Sequence, residues 1–141
     1  MAEEQLVTFS LGSEEFGVDI MRVQEIIRIP PITRVPNAPV YVEGVINLRG
    51  NVIPVVSLST RFGMARAEET DLSRIIVVQV QSKVFGIRVD AVTEVLHLDS
   101  DSIEPPPPIA VGVDSQFIRG VGKTGERLLI LLELDQIMGG D

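Results

Sequence analysis

The chain repeats itself. Laid without gaps, LVTFSLGSEEFGVDIMRVQEII (6–27) matches IIVVQVQSKVFGIRVDAVTEVL (75–96) at a constant separation of 69 residues. In that register Val7 meets Ile76, Phe9 meets Val78 and Leu11 meets Val80. Phe16-Gly17 meets Phe85-Gly86, Val23 meets Val92, and Glu25 meets Glu94. A second block comes at a separation of 76: Gly44-Val45 meets Gly120-Val121, Val55-Val56 meets Leu131-Leu132, and Leu58 meets Leu134. The seven extra residues enter in the connector, where ITRVPNAP gives way to the longer IEPPPPIAVGVDSQF. Two copies of one apolar pattern must bury two copies of one surface, so a duplicated sequence constrains the chain to a duplicated fold. The expectation is one domain over residues 1–141, built from a first subdomain at 1–68 and a second at 69–141.

Within each copy the period is two. Leu6, Thr8 and Ser10 alternate with Val7, Phe9 and Leu11, as in a strand with one buried face. Apolar residues make up 45% of the chain and aromatics only 4%, so Val, Ile and Leu must build the core, and these favour pleated surfaces. Short strands separated by regular turn signals predict small closed β-barrels. DIMRVQEII reads as a helical turn running into a strand, and LSTRF as a short helix. NAPVYVEG reads as one helical turn capped by Asn37, with Pro39 near its start. GVINLRGNVIPVVSL (44–58) reads as a hairpin turning at Gly50-Asn51. Pro54 cannot donate to a ladder, which places it on an edge strand or at a bulge. EPPPP (104–108) predicts an extended polyproline connector.

The chemistry is sparse. A net charge of −8 repels phosphate backbones and argues against a nucleic-acid partner. The absence of cysteine removes disulfides, thiolate catalysis and thiolate metal sites. His97, the single histidine, lies in the apolar run EVLHLD, with no second His to complete a transition-metal site. GVGKTGE departs from a phosphate loop on two counts. The first glycine of that motif falls on Phe117, and Thr124 leads into GERLLILLEL, a strand pattern rather than a helical one. A small enzyme or ligand-binding barrel needs convergent polar groups in a pocket, and no such constellation is visible. No catalytic, metal or cofactor site is expected. The acidic start MAEEQLVTF lacks the basic and apolar regions of a signal peptide, and no apolar run suits a membrane span, so no direct membrane insertion is expected.

One segment carries a specific pattern. VQEIIRIPPITRVPNAPVYVEGVINLRGNVIPVVSL (23–58), with LVTFSLGSEEFGVDI before it and IIVVQVQSKVFGIRVD after it, closely resembles the CheW family of bacterial chemotaxis coupling proteins. The likeness covers nearly the whole chain, and Asn47-Leu48-Arg49-Gly50 is its most specific marker. The resemblance implies an all-β, non-enzymatic adaptor made of two tandem five-stranded SH3-like barrels. It implies two partners: the cytoplasmic tip of chemoreceptors, and the regulatory domain of the histidine kinase CheA. That domain shares the fold, so adaptor and kinase can pair barrel to barrel and alternate into rings. The implied location is the cytoplasm, at membrane-bound receptor arrays. The same adaptor serving another chemosensory pathway, such as surface motility, is the alternative. The sequence closes on DQIMGGD without the longer C-terminal helix of some relatives, and the related two-domain adaptor with a receiver domain is not the expected form.

By motif matching, the resemblance places a receptor-facing groove at Val23, Gln24, Glu25 and Ile26 together with Asn47, Leu48, Arg49 and Gly50. Gly44 and the strand start at Ile75 are expected nearby, and Glu25 and Arg49 match an acid and a base that lie close together. Kinase contacts are expected at apolar strand ends of both barrels, with no single residue fixed. The aligned hairpin of the second copy, GVGKTGERLLILLEL, does without Asn-Leu-Arg-Gly. What the copies share is expected to be architecture, and what they do not share is where function is expected. A surface ion pair contributes only about 0–1 kcal/mol, so Arg49 is expected to orient or dock rather than stabilise. The competing structural reading has Arg49 close the interface between the barrels.

Overall fold

A computed structural model describes residues 2–65, 68–106 and 114–138. The strands are β1 (Glu3–Leu11), β2 (Glu14–Asp19), β3 (Val23–Ile27), β4 (Val42–Leu48), β5 (Asn51–Ser57), β6 (Arg74–Val80), β7 (Lys83–Val89), β8 (Ala91–Asp99), β9 (Ile103–Glu104), β10 (Ile118–Thr124) and β11 (Arg127–Leu132). One helical turn of α type, α1 (Leu58–Arg61), comes after β5, with Ser57 as its cap. The expected all-β fold with two β subdomains is what forms. The helical turn before β3 is present as a 3-10 turn at Ile20–Arg22, capped by Asp19.

The two sheets are not the two sequence copies. One runs β8-β1-β2-β11-β10-β9, the other β3-β6-β7-β5-β4. Each sheet takes its first two strands in copy order (β1 and β2, or β6 and β7) from one copy and the rest from the other. The third strands cross over reciprocally: β3 pairs antiparallel with β6, and β8 with β1. The five-stranded sheet is therefore one continuous stretch from Val23 to Val89, and the other sheet joins both ends of the chain. The expected boundary between 68 and 69 does not coincide with the division into sheets. The exchange keeps an antiparallel third strand on each sheet, because β1 and β6, equivalent in the repeat, each offer an edge to it.

The Phe-Gly repeat has a structural meaning. Parallel pairs join Leu131 to Gly17 and Val55 to Gly86, equivalent positions in the two copies. A Cβ on Gly86 would lie 2.6 Å from Ile75 Cγ2 of the neighbouring β6, so glycine makes room there for the Ile75 side chain. Thr33 bridges Val45 in one sheet, as Glu104 in β9 pairs with Val121 in the other. The second sheet counts six strands because its bridge is two pairs long.

Alternation sorts the side chains into three cores. Val7, Phe9, Leu11, Ile76, Val78 and Val80 lie in the cluster shared between the sheets. Ile46, Ile53, Val55, Ile75 and Val77 fill the five-stranded unit, and Leu6, Leu98, Leu129 and Leu131 fill the other. Strands β1 and β6 are thus buried on both faces in their centres, where one buried face was expected of β1. Thr8, on its other face, is fully buried and bonds to Thr93 Oγ1 and the Glu94 carbonyl.

Local expectations fared unevenly. Asn37 has φ 65°, which an N-cap in extended backbone cannot have, and the segment forms turns instead of the expected helical turn. Pro54 is on β5, between β7 and β4, so it is not on an edge. It is tolerated because pairing with β7 starts one residue later, at Val55, and the bulge in β4 lies close by, between Val42 and Gly44. Of the EPPPP segment, Pro107 and Pro108 fall outside the described residues.

Candidate functional site

The hairpin of β4 and β5 turns one residue earlier than its Gly-Asn dipeptide suggests. Leu48 pairs with Asn51, leaving Arg49 and Gly50 as the two central residues, with φ 53° and 86°. Positive φ at both centres is what a type I′ turn requires. Asn47 Oδ1 accepts from the Gly50 N–H at 3.0 Å and locks the turn. In the other copy Lys123 pairs with Leu128 and Thr124 with Arg127, so the position equivalent to Arg49 is Gly125, at φ 61°. One copy gives the left-handed backbone to glycine, which bears it freely. The other gives it to arginine, which does not.

The guanidinium of Arg49 reaches Glu25 of β3 through two bonds, Nη1 to Oε2 at 2.5 Å and Nη2 to Oε1 at 2.9 Å. The expected closeness of this acid and base is observed. Strand β3 is one edge of the five-stranded order, and the β4–β5 hairpin closes the other. The pair therefore draws together opposite edges of one sheet, and the alternative in which Arg49 closes the interface between barrels does not hold. The Arg49 side chain is 75% exposed and that of Glu25 only 21%. The base remains open to a partner while the acid anchors it.

The other residues of the motif divide by face. Gln24 and Ile26 point outward, and Gln24 Nε2 donates to Gln79 Oε1 at 2.8 Å. Val23 packs on the core between the sheets. Leu48 packs on the core of the five-stranded unit. Ile75 is fully buried there, so its side chain has no surface to offer. Gly44 is buried at φ 152°, and a Cβ on it would lie 2.2 Å from the Thr33 carbonyl oxygen. Its place near the motif is a matter of backbone approach rather than contact.

Beyond Ile26, already expected in the groove, sequence reasoning passed over Val52, Val95 and Leu128. Four exposed aliphatic residues form two equivalent pairs: Ile26 with Val95 on the third strands, and Val52 with Leu128 on the hairpins. The same 69- and 76-residue offsets that revealed the repeat would have found them. The ion pairs beside them differ in kind. Arg127 holds two carboxylates, Glu15 and Glu94, and hydrogen bonding to Glu15 first, then Glu94, raises its pKa above the ordinary arginine value. Its charge is satisfied within the molecule, where that of Arg49 meets one acid and faces solvent.

A groove of about 790 Å³ lies beside the five-stranded sheet, with Pro30, Ile32 and Val42 in its walls. Its buried polar groups, Arg88 and Glu43, bond to each other at 2.9 Å. Among the described residues there is no cluster of acids and His that could hold a metal ion. No helix among them is long and apolar enough to cross a membrane.

Fold and surface together define a class: a duplicated, strand-exchanged β module whose distinctive side chains sit at a hairpin tip and an edge strand facing outward. The CheW-like domain family matches residues 5–140, and the chain belongs to this family. It is 47% identical over 133 residues to the chemotaxis protein CheW of Rhizobium meliloti, covering 94% of this chain and 86% of that one. It is 36% identical to the chemotaxis protein CheW of Klebsiella aerogenes, covering 98% and 83%. The crystal structure of the scaffolding protein TtCheW from Thermoanaerobacter tengcongensis superposes with a TM-score of 0.92 at 39% identity, over all of this chain and 91% of that one. These relatives make the chain similar to scaffold proteins of bacterial chemotaxis.

Proposed function

We propose that the chain couples chemoreceptors to the histidine kinase CheA by binding both, and that it catalyses nothing. The observation that carries this reading is Arg49. A non-glycine residue in left-handed backbone costs about 1–2 kcal/mol, and an exposed ion pair returns about 0–1 kcal/mol. Stability alone does not account for arginine where the equivalent turn uses Gly125; a binding surface does. Arg49, with Gln24, Glu25, Ile26 and Asn47 around the same strand and hairpin, is the surface we assign to the receptor tip. Val23, Leu48, Gly44, Gly50 and Ile75 shape that surface from beneath.

The exposed aliphatic pairs support two docking ends. Ile26 and Val52 belong to one unit and Val95 and Leu128 to the other, so each unit offers an apolar contact of similar make. Exposed apolar positions recurring at equivalent places are what a protein with two like-shaped neighbours needs. The kinase's regulatory domain is the second partner in this reading, and the site of action is the cytoplasmic face of a receptor array. The test is binding by calorimetry of the purified chain to a chemoreceptor signalling fragment and to the CheA regulatory domain, singly and together. One molecule engaging both is expected. Failure to bind either partner would sink the proposal.

A further inference from the structure

The two units meet around Arg61. Its guanidinium carbon lies 4.0 Å from the centre of the Tyr41 ring and 4.7 Å from that of Phe117. Tyr41 and Phe117 are equivalent residues, 76 apart, and each directly precedes the first strand of its copy's second hairpin, β4 or β10. Each is held the same way. The Ser57 N–H donates to the Tyr41 carbonyl and the Glu133 N–H to the Phe117 carbonyl, both at 2.8 Å. Arg61 also donates from Nε to the carbonyl of Ile137 at 2.9 Å and from Nη2 to that of Gln136 at 3.2 Å. Ile137 is its own equivalent in the second copy. One side chain thus joins two matching aromatics, one from each unit, and bonds to the turn that matches its own.

We infer that Arg61 is a positioning residue that fixes one β unit against the other. Among the described residues the buried cluster between the sheets is aliphatic and aromatic, as in the Phe62–Phe117 ring pair at 5.4 Å. Such contacts are short-ranged and weakly directional, so they tolerate small rotations. Arg61 supplies direction. Its planar fork meets two carbonyls along fixed lines while the Tyr41 and Phe117 rings both lie close to the guanidinium, and no rotation of one unit keeps all four contacts. The pinning rests on geometry alone. Its consequence rests on the adaptor reading: a fixed angle between the units sets the angle between two docked partners.

The chain has no cysteine, so a labelled pair can be introduced cleanly. Ser13→Cys and Ser82→Cys place spin labels on exposed, equivalent turns, one in each sheet. Double electron–electron resonance on the free, full-length chain is expected to give one narrow distance distribution. Arg61→Ala is expected to broaden it at least twofold while the far-UV circular dichroism is unchanged. Arg61→Lys, which keeps a cation beside the rings but not the fork to the carbonyls, is expected to fall between. Arg61→Met repeats the test with side-chain bulk retained. A distribution as narrow in Arg61→Ala and Arg61→Met as in the parent overturns the inference. So does failure of both variants to fold, which would make Arg61 part of the folding core. No partner is present in this measurement, so failure of the adaptor reading leaves it untouched.

Discussion

Arg88 of β7 and Glu43 of β4 form an ion pair across the intervening strand β5, with side chains only 10% and 11% exposed. Burial changes what such a pair does. Removing one partner of a buried pair strands the other charge and destabilises by about 3–5 kcal/mol, whereas replacing both with apolar residues is often neutral. Glu43→Ala is therefore expected to lower the melting temperature by roughly 10–15 °C. The double change Glu43→Leu with Arg88→Met is expected to recover most of that loss. Calorimetry on the two variants decides it. A double variant less stable than Glu43→Ala would mean that the pair contributes net stability.

Arg49 makes the opposite case. Arg49→Gly gives up an exposed ion pair but relieves left-handed strain, and the two effects are each about 1 kcal/mol and opposed in sign. The expected result is a denaturation midpoint within error of the parent. Receptor binding, in the proposed role, is expected to be lost. Arg49→Ala removes the charge but keeps the strain, so it is expected to be the less stable of the two. If Arg49→Gly unfolds more readily than Arg49→Ala, the turn does not hold the strain that its φ of 53° indicates.

Gly44 sits in the same hairpin, yet its substitution acts on the fold. At φ 152° a side chain is strained, and its Cβ would lie 2.2 Å from a backbone oxygen, an overlap that no rotamer change relieves. Strain and displacement of the Thr33–Val45 bridge together give an expected loss of about 2–4 kcal/mol for Gly44→Ala. At the equivalent position, Gly120, the added carbon would lie 2.8 Å from the Glu104 oxygen, and no positive φ is involved. Gly120→Ala is expected to cost measurably less. Urea melts of the two variants in parallel test the order.

The same residues mark where sequence is informative. Period-two alternation and the Phe-Gly register are local signals, and they place the strands and the duplication correctly. The hairpin reads one residue late because Gly50-Asn51 and Arg49-Gly50 are both acceptable turn centres. Only the cross-strand pairing of Leu48 with Asn51 separates them. The closeness of Glu25 and Arg49 comes from family likeness, since nothing local ties β3 to that hairpin. Arg61 gives no local sequence signal: its ring partners, Tyr41 and Phe117, are distant in the chain, and only the 76-residue offset marks them as equivalent. The strand exchange is hidden for a deeper reason. Val7 and Ile76 occupy equivalent places on β1 and β6, so a repeat alignment cannot say which of those strands β3 will choose.

Reciprocal exchange leaves each half of the chain incomplete. Residues 1–68 contain β1 and β2 of one sheet and β3, β4 and β5 of the other, so neither sheet can close within them. The buried faces of β1 and β3 would be exposed, and few ladder bonds beyond the two hairpins would remain. The fragment 1–68 alone is expected to lack dispersed amide shifts in a proton–nitrogen correlation spectrum, and so is 69–141. Mixed together they restore every strand pairing, because the cut at 68/69 severs no strand. A dispersed spectrum on mixing, with one cooperative melt, is the expected outcome. If 1–68 folds by itself, β3 must return to pair with β1 of its own copy, and reciprocal exchange would be one of two accessible arrangements instead of the native requirement.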